Sequence, residues 1–252
     1  MPQKAIFVSD LHLVGPNDPK TKLFAKFLRA LREEKVAPVT HLFLVGDIFD
    51  LWVGDHDYFS DRFANVVTEI RALVQSGVEV HYFEGNHDLH LEKFWADQLH
   101  VDVHTDDATF TLAGQIVRIE HGDQINPDDH GYLFLRALLR SAPVTFLAHA
   151  LPERFVKLIG ERASTASRDY TSNAKGKPQD EIRQLIRQHA EAQSHLTDFD
   201  LIITGHVHVA DDFTFDVGGK KVRSINLGSW FESPPRALVL DSRGLRFEEI
   251  KS

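Results

Sequence analysis

No cysteine occurs among the 252 residues, which excludes disulfides, thiolate metal ligands and cysteine nucleophiles. It leaves the redox compartment open. Positive charge is in deficit: 28 Lys and Arg stand against 37 Asp and Glu, a formal charge of −9. Such a balance argues against a nucleic-acid partner, which is held through phosphate contacts from basic side chains. Long apolar runs are missing near the N-terminus, where Ala5 to Val8 follows a single lysine and is too short for a signal-peptide core or a membrane span. A cytoplasmic location is therefore expected. What remains is ordinary for a globular chain, 42% hydrophobic and 26% charged, of a length that suits one large α/β domain or a domain with a small cap. The excess lies in 15 histidines, and their positions point to chemistry.

Four apolar runs end in polar residues in the same way. Ala5–Ser9 runs into Asp10-Leu11-His12, Leu42–Val45 into Gly46-Asp47, Val78–Phe83 into Gly85-Asn86-His87-Asp88, and Leu201–Ile203 into Gly205-His206-Val207-His208. Each reads as a strand buried on both faces that delivers polar side chains at its carboxyl end. Between the first two lies a helical pattern (Leu23, Phe24, Phe27, Leu28, Leu31), and between the next two a single longer one from Phe59 to Val74. That is a βαβ arrangement. Three hairpins follow, Thr109–Ile119 turning at Gly114 and ending at His121-Gly122-Asp123, Phe213–Ile225 turning at Gly218-Gly219, and Ala237–Ile250 turning at Arg243-Gly244. From Gly131 to His195 the strand signal vanishes and helices punctuated by Pro143, Pro152 and Pro178 are expected. The reading is a layered α/β sandwich with a core at residues 1–130 and 196–252 and a helical cap inserted at 131–195.

The polar residues at the strand ends are Asp10, His12, Asp47, Asn86, His121, His206 and His208. All are oxygen or nitrogen donors that suit Mn²⁺, Fe²⁺, Zn²⁺ or Ni²⁺ rather than a soft metal. In open α/β sheets, ligands gather outside the carboxyl ends of the strands, so distant residues would meet there. Singly, each short motif is common, and Gly-Asn-His-Asp would serve equally as a turn. Five of them in register with strand ends describe a site for two metals that clamps the attacking and leaving oxygens at phosphorus.

These motifs resemble those of the calcineurin-like metallophosphoesterases: Asp10-Leu11-His12, Gly46-Asp47-Ile48-Phe49-Asp50, Gly85-Asn86-His87-Asp88, His121-Gly122-Asp123 and Gly205-His206-Val207-His208. The resemblance implies a four-layer αββα sandwich in which Asp47 bridges two cations. Asp10, His12 and His208 would complete one site, and Asn86, His121 and His206 the other. His87 would donate a proton or stabilise charge on phosphorus, with Asp88 as its orienting partner.

Flanking signals resemble a narrower group, the UDP-2,3-diacylglucosamine hydrolases of lipid A biosynthesis: Phe49-Asp50-Leu51-Trp52-Val53-Gly54-Asp55, the Asp128, Asp129 and Tyr132 that follow His121, and Asn226-Leu227-Gly228-Ser229-Trp230. That likeness implies two Mn²⁺ ions, a metal-bridging hydroxide as nucleophile, and cleavage to UMP and 2,3-diacylglucosamine 1-phosphate. It also implies a UDP-linked acylated sugar as substrate and a peripheral place on the inner face of the inner membrane. Asn86, His87, Asp129 and Tyr132 become substrate contacts, joined by Ser172, Asn173 and Lys175 of the cap. The cap's charge is consistent with this. Residues 131–177 carry eight basic and three acidic side chains, a net +5 that leaves −14 elsewhere, and they are rich in Leu and Phe, which suits a phosphorylated lipid or a membrane surface. One departure is His87, where the best-studied branch has arginine, and the two side chains grip phosphate differently. A phosphodiesterase or pyrophosphatase acting on another nucleotide-linked sugar, lipid or soluble nucleotide therefore stays open, as does, more remotely, a non-catalytic binding scaffold.

Overall fold

The computed structural model describes residues 3–150, 152, 155, 178–231 and 234–251. Within them two sheets stack face to face. The first has six strands: β1 (Ala5–Val8), β2 (His41–Val45), β4 (Glu79–Phe83) and β6 (Asp102–His104) run parallel, and the hairpin β12 (Arg236–Asp241) and β13 (Gly244–Glu249) adds antiparallel to β1. The second has five strands in the order β10 (Asp211–Val217), β11 (Lys220–Asn226), β9 (Leu201–Thr204), β8 (Gln115–Ile119) and β7 (Ala108–Leu112). A short parallel pair, β3 (Trp52–Val53) and β5 (Asp88–Leu89), lies apart from both.

The continuous apolar runs follow from burial on both faces. In β1 and β2, Ile6, Val8, Leu42 and Leu44 point to a cluster under the helices, while Phe7, Phe43 and Val45 point between the sheets to meet Ile203 and Ile225. Phe7 and Phe43 stack with centroids 4.8 Å apart. Helix α1 (Pro19–Glu33) starts where Asp18 accepts from the Lys20 amide and proline takes the first turn. It packs beside α3 (Ala64–Gln75) on the outer face of the first sheet.

The longer helix expected between Phe59 and Val74 is two. Helix α2 (Asp57–Arg62) ends at Phe63, whose φ of −112° leaves the helical region, and α3 begins one residue later. Phe63 is sunk among aromatics there, 4.5 Å from Phe49 by ring centroids, so packing overrides the helical period. Helix α4 (His130–Leu139) and helix α5 (Ala142–Ala150) lie in the segment expected to form a cap, followed by α6 (Gln179–Ser194). Although α6 falls within the segment expected to be a cap, Ala190 packs with Phe215 and Val222 on the outer face of the second sheet. It thereby supplies the fourth layer of an αββα sandwich.

Candidate dinuclear metal centre

Both sheets send residues to one place. Asp10 and His12 follow β1, Asp47 follows β2 and Asn86 follows β4, while His121 follows β8 and His206 and His208 follow β9. The strand ends are stitched together across the sheets: the His206 amide donates to Asp10 Oδ2 at 2.9 Å and His121 Nδ1 lies 2.9 Å from the Val45 carbonyl. Within the first sheet, the amides of Asp10 and His12 donate to the carbonyls of Gly46 and Asp47.

Close approach explains the glycines in two motifs. A Cβ at Gly46, whose φ is +77°, would collide with the His121 ring, and one at Gly85 would collide with the Asp47 carboxylate. Side chains pay for a similar approach elsewhere. Asp10, His12, Asp47, His206 and His208 all have φ between +48° and +70°, a left-handed conformation that non-glycine residues rarely hold outside sites where the surroundings enforce it.

The cluster has the composition of a cation site. Asp47 Oδ1 accepts from the amides of Asn86 and His87, both at 3.0 Å. Its Oδ2 is turned the other way, 3.7 Å from His12 Nε2 and 3.6 Å from His121 Nε2. Asp10 Oδ1 lies 3.2 Å from His208 Nε2, which is 3.1 Å from His12 Nε2. Three groups bring one donor atom per residue within 4.8 Å of one another: Asp10, His12 and His208; Asp47, His121 and His206; and His12, Asp47 and His87. The first gathers three residues expected in one site, the second places His121 and His206 with Asp47, and the third joins His87 to them.

Two buried ring nitrogens of the Asp47, His121 and His206 group, Nδ1 of His206 and Nε2 of His121, meet no hydrogen-bond partner among the described residues, although buried polar atoms are nearly always satisfied. The electrostatics point the same way. Burial pushes His12 and His206 down to about 4, favouring the neutral imidazole that ligates metal. Burial also acts on His121, but Asp47, Asp10 and Asp123 outweigh it and raise that ring to about 9. Burial would raise Asp47 as well, yet His121, His87 and His12 hold it far below the usual carboxylate range. Two buried carboxylates calling for positive charge, amid unpartnered nitrogens, fit a pair of divalent cations.

Asp88 does not act on His87 as expected. Its Oδ1 accepts from the amides of Asp47 and Gly85, and its Oδ2 from the Ile48 amide and the Tyr82 hydroxyl. It is a fully buried brace for two strand-end loops, raised to about 7 by burial and then by Asp47. His87 is oriented by the Asp50 carbonyl, 2.9 Å from Nδ1, and its ring meets His12 edge to face at 4.7 Å. Asp129 caps α4, its Oδ1 accepting from the Tyr132 amide at 3.0 Å. Tyr132 stands at the rim, with its hydroxyl 3.3 Å from Asp123 Oδ2 and its ring 5.6 Å from His206. Ser172, Asn173 and Lys175 lie outside the described residues.

Other supports had no assigned role in the motifs. Asn226 Nδ2 donates to the Gly205 carbonyl at 2.7 Å and to Thr204 Oγ1 at 2.9 Å, holding the turn before His206. Ser9 Oγ donates to the Val45 carbonyl at 2.9 Å and contacts the Asp10 carboxylate. Both sit inside quoted motifs or beside them, but the partners are remote in sequence. Phe49 and Trp52, read as group-specific signals, are fully buried core aromatics.

Comparison with known proteins follows this geometry. Residues 4–210 match the family model described as calcineurin-like phosphoesterase. The protein named UDP-2,3-diacylglucosamine hydrolase from Xanthomonas axonopodis pv. citri (strain 306) is 30% identical over 97% of this chain and 98% of its own. Those of the same name from Vibrio parahaemolyticus serotype O3:K6 (strain RIMD 2210633) and Aliivibrio fischeri (strain MJ11) are 30% and 28% identical, each over 90% of both chains. Among the described residues no helix is long and apolar enough to cross a membrane. With a match that takes in every motif at the strand ends, the chain belongs to the calcineurin-like phosphoesterase family and is a hydrolase.

Proposed function

We propose that this hydrolase cleaves the diphosphate of UDP-2,3-diacylglucosamine to give UMP and 2,3-diacylglucosamine 1-phosphate, with two Mn²⁺ ions as cofactor. Asp10, His12 and His208 would hold one ion, Asn86, His121 and His206 the other, and Asp47 both. Bound there, the ions supply Lewis acidity to the phosphoryl oxygens and acidify water.

The chain's own residues do the rest. A carbonyl only accepts, so the contact with Asp50 places a proton on His87 Nδ1 and makes Nε2 the exchangeable position. His87 then neutralises the oxygen that departs with the sugar phosphate. Asn86 shares the phosphoryl group, and Asp129 and Tyr132 at the rim take the sugar, together with Ser172, Asn173 and Lys175. Asp88 acts by holding the loops.

The observation that carries the lipid part is an apolar face beside the site. On α4 and α5, Phe134 is 72% and Phe146 74% exposed, and Leu135, Leu138 and Leu147 are exposed as well. A groove of about 660 Å³ between Lys93, Arg140, Thr145, Phe146 and His149 opens alongside, large enough for acyl chain. The exposed apolar face and the basic residues of 131–177 other than Arg136 and Arg140, which pair with Asp123 and Glu84, support peripheral contact with anionic membrane lipids on the cytoplasmic side.

The test is UMP release by Mn²⁺-loaded protein. Turnover of UDP-2,3-diacylglucosamine should exceed that of UDP-N-acetylglucosamine by about 10²-fold or more, since remote binding energy is used at the reacting centre. Equal rates on both would point instead to a broader nucleotide pyrophosphatase, a reading that His87 in place of arginine leaves open.

A further inference from the structure

Helix α4 places Tyr132, Arg136 and Arg140 four residues apart, on one face. All three reach loops that carry the Asn86 and His121 half of the site. Arg136 Nε lies 2.7 Å from Asp123 Oδ2, the same oxygen that the Tyr132 hydroxyl approaches, two residues after His121. Arg140 does more. Its Nη1 donates to Glu84 Oε2 at 2.9 Å and to the Thr105 carbonyl at 2.8 Å, and its Nη2 donates to the carbonyls of Glu84 at 3.3 Å and Gly85 at 3.2 Å. Glu84 is buried, and its other oxygen accepts from the Leu91 amide at 2.8 Å, closing the loop that contains Asn86, His87 and Asp88. One guanidinium thus spans a buried carboxylate and the peptide immediately before Asn86. The fork geometry this needs belongs to arginine and not to lysine.

We infer that Arg140 is a positioning residue that couples the seating of the inserted helix α4 to cation affinity at the Asn86, His121 and His206 half of the centre. Among the described residues, the Asp10, His12 and His208 half has no such tether to α4: the amides of Asp10 and His12 are bonded to Gly46 and Asp47 of the neighbouring strand end, and Ser9 is held by the Val45 carbonyl. Release of Arg140 leaves Glu84 buried against a loop whose Asn86 peptide has lost its clamp, so one ion weakens strongly, while the other, which the loop reaches only through the Asn86 and His87 amides on Asp47, changes little. A contact that merely stabilised the fold would weaken both ions together or neither.

This inference rests on the dinuclear reading above, and the experiment separates the two. Full-length protein stripped by chelation is titrated with Mn²⁺ by calorimetry and followed by electron paramagnetic resonance. The wild type is expected to take two ions and give the spectrum of a coupled pair. In Arg140→Met one ion should bind as in the wild type and the other about 10–100-fold more weakly, with isolated Mn²⁺ at one equivalent. Arg140→Lys should fall between, and it serves as the test if the Met variant does not fold. A wild type that binds fewer than two ions overturns the dinuclear reading and the inference with it. Two unchanged affinities in both folded variants, or loss of both ions in parallel, overturns the inference alone.

Discussion

The two halves of the centre are built differently. The Asp10, His12 and His208 half is held by residues of the two sheets, through the Gly46 and Asp47 carbonyls and Ser9, and it shares with the other half the turn that Asn226 fixes. The other half borrows from helices outside the sheets. Arg136 and Arg140 of α4 reach Asp123 and Glu84, and His189 of α6 pairs with Glu120 beside His121. A half fixed by strand pairing is as rigid as the core. A half fixed by α4 responds to whatever moves α4, and α4 and α5 also carry the exposed apolar side chains.

The comparison breaks most sharply at the residue the halves share. Asp47→Asn should lower kcat by at least about 10²-fold and reduce the binding of both ions, with the far-UV spectrum retained. Retention of one ion at full affinity would show that Asp47 serves only one half. A smaller effect is expected where the insertion meets solvent. Phe134→Ser with Phe146→Ser should weaken partition onto vesicles containing anionic lipid by about tenfold or more, and leave Mn²⁺ affinity of both halves unchanged. Unchanged vesicle binding would separate the apolar face from any membrane role.

The smallest effect concerns β4 and the loop after β5, on either side of Asn86. Burial lowers His81 and His90 to about 4 from the ordinary 6.5, so the fold favours their neutral forms. The stability this contributes is present above pH 6.5 and is lost as pH falls from 6.5 toward 4. The melting temperature should drop by on the order of 5 °C across that window. His81 stacks on Phe43 at 4.8 Å, and His81→Phe should flatten the drop. An unaltered slope in that variant would assign it to other groups.

The strand-end motifs were legible because the residues that make them are local. A strand buried on both faces must be an unbroken apolar run, and the polar residue that ends it must be at a rim. Contacts between remote residues were not legible. Asp88 stands next to His87 in sequence, yet its oxygens serve amides 40 and 41 residues away. Arg136 and Arg140 read as ordinary cap charges because their carboxylate partners lie as far as 56 residues off. Helix α6 reads as part of the insertion by its lack of strand signal, but the face with Ala190 has somewhere to go only once β10 and β11 are paired. The break at Phe63 belongs to the same class, since only the folded aromatic cluster competes with the helical period.

The left-handed backbone at Asp10, His12, Asp47, His206 and His208 has a bearing on how this protein would evolve or be engineered. Each such residue costs about 1–2 kcal/mol relative to a conformation an L-residue prefers, and glycine would relieve it. Replacing His208 by glycine should therefore ease the metal-free backbone while removing a donor. Selection for thermal endurance alone would erode the centre one position at a time, and only turnover opposes that drift.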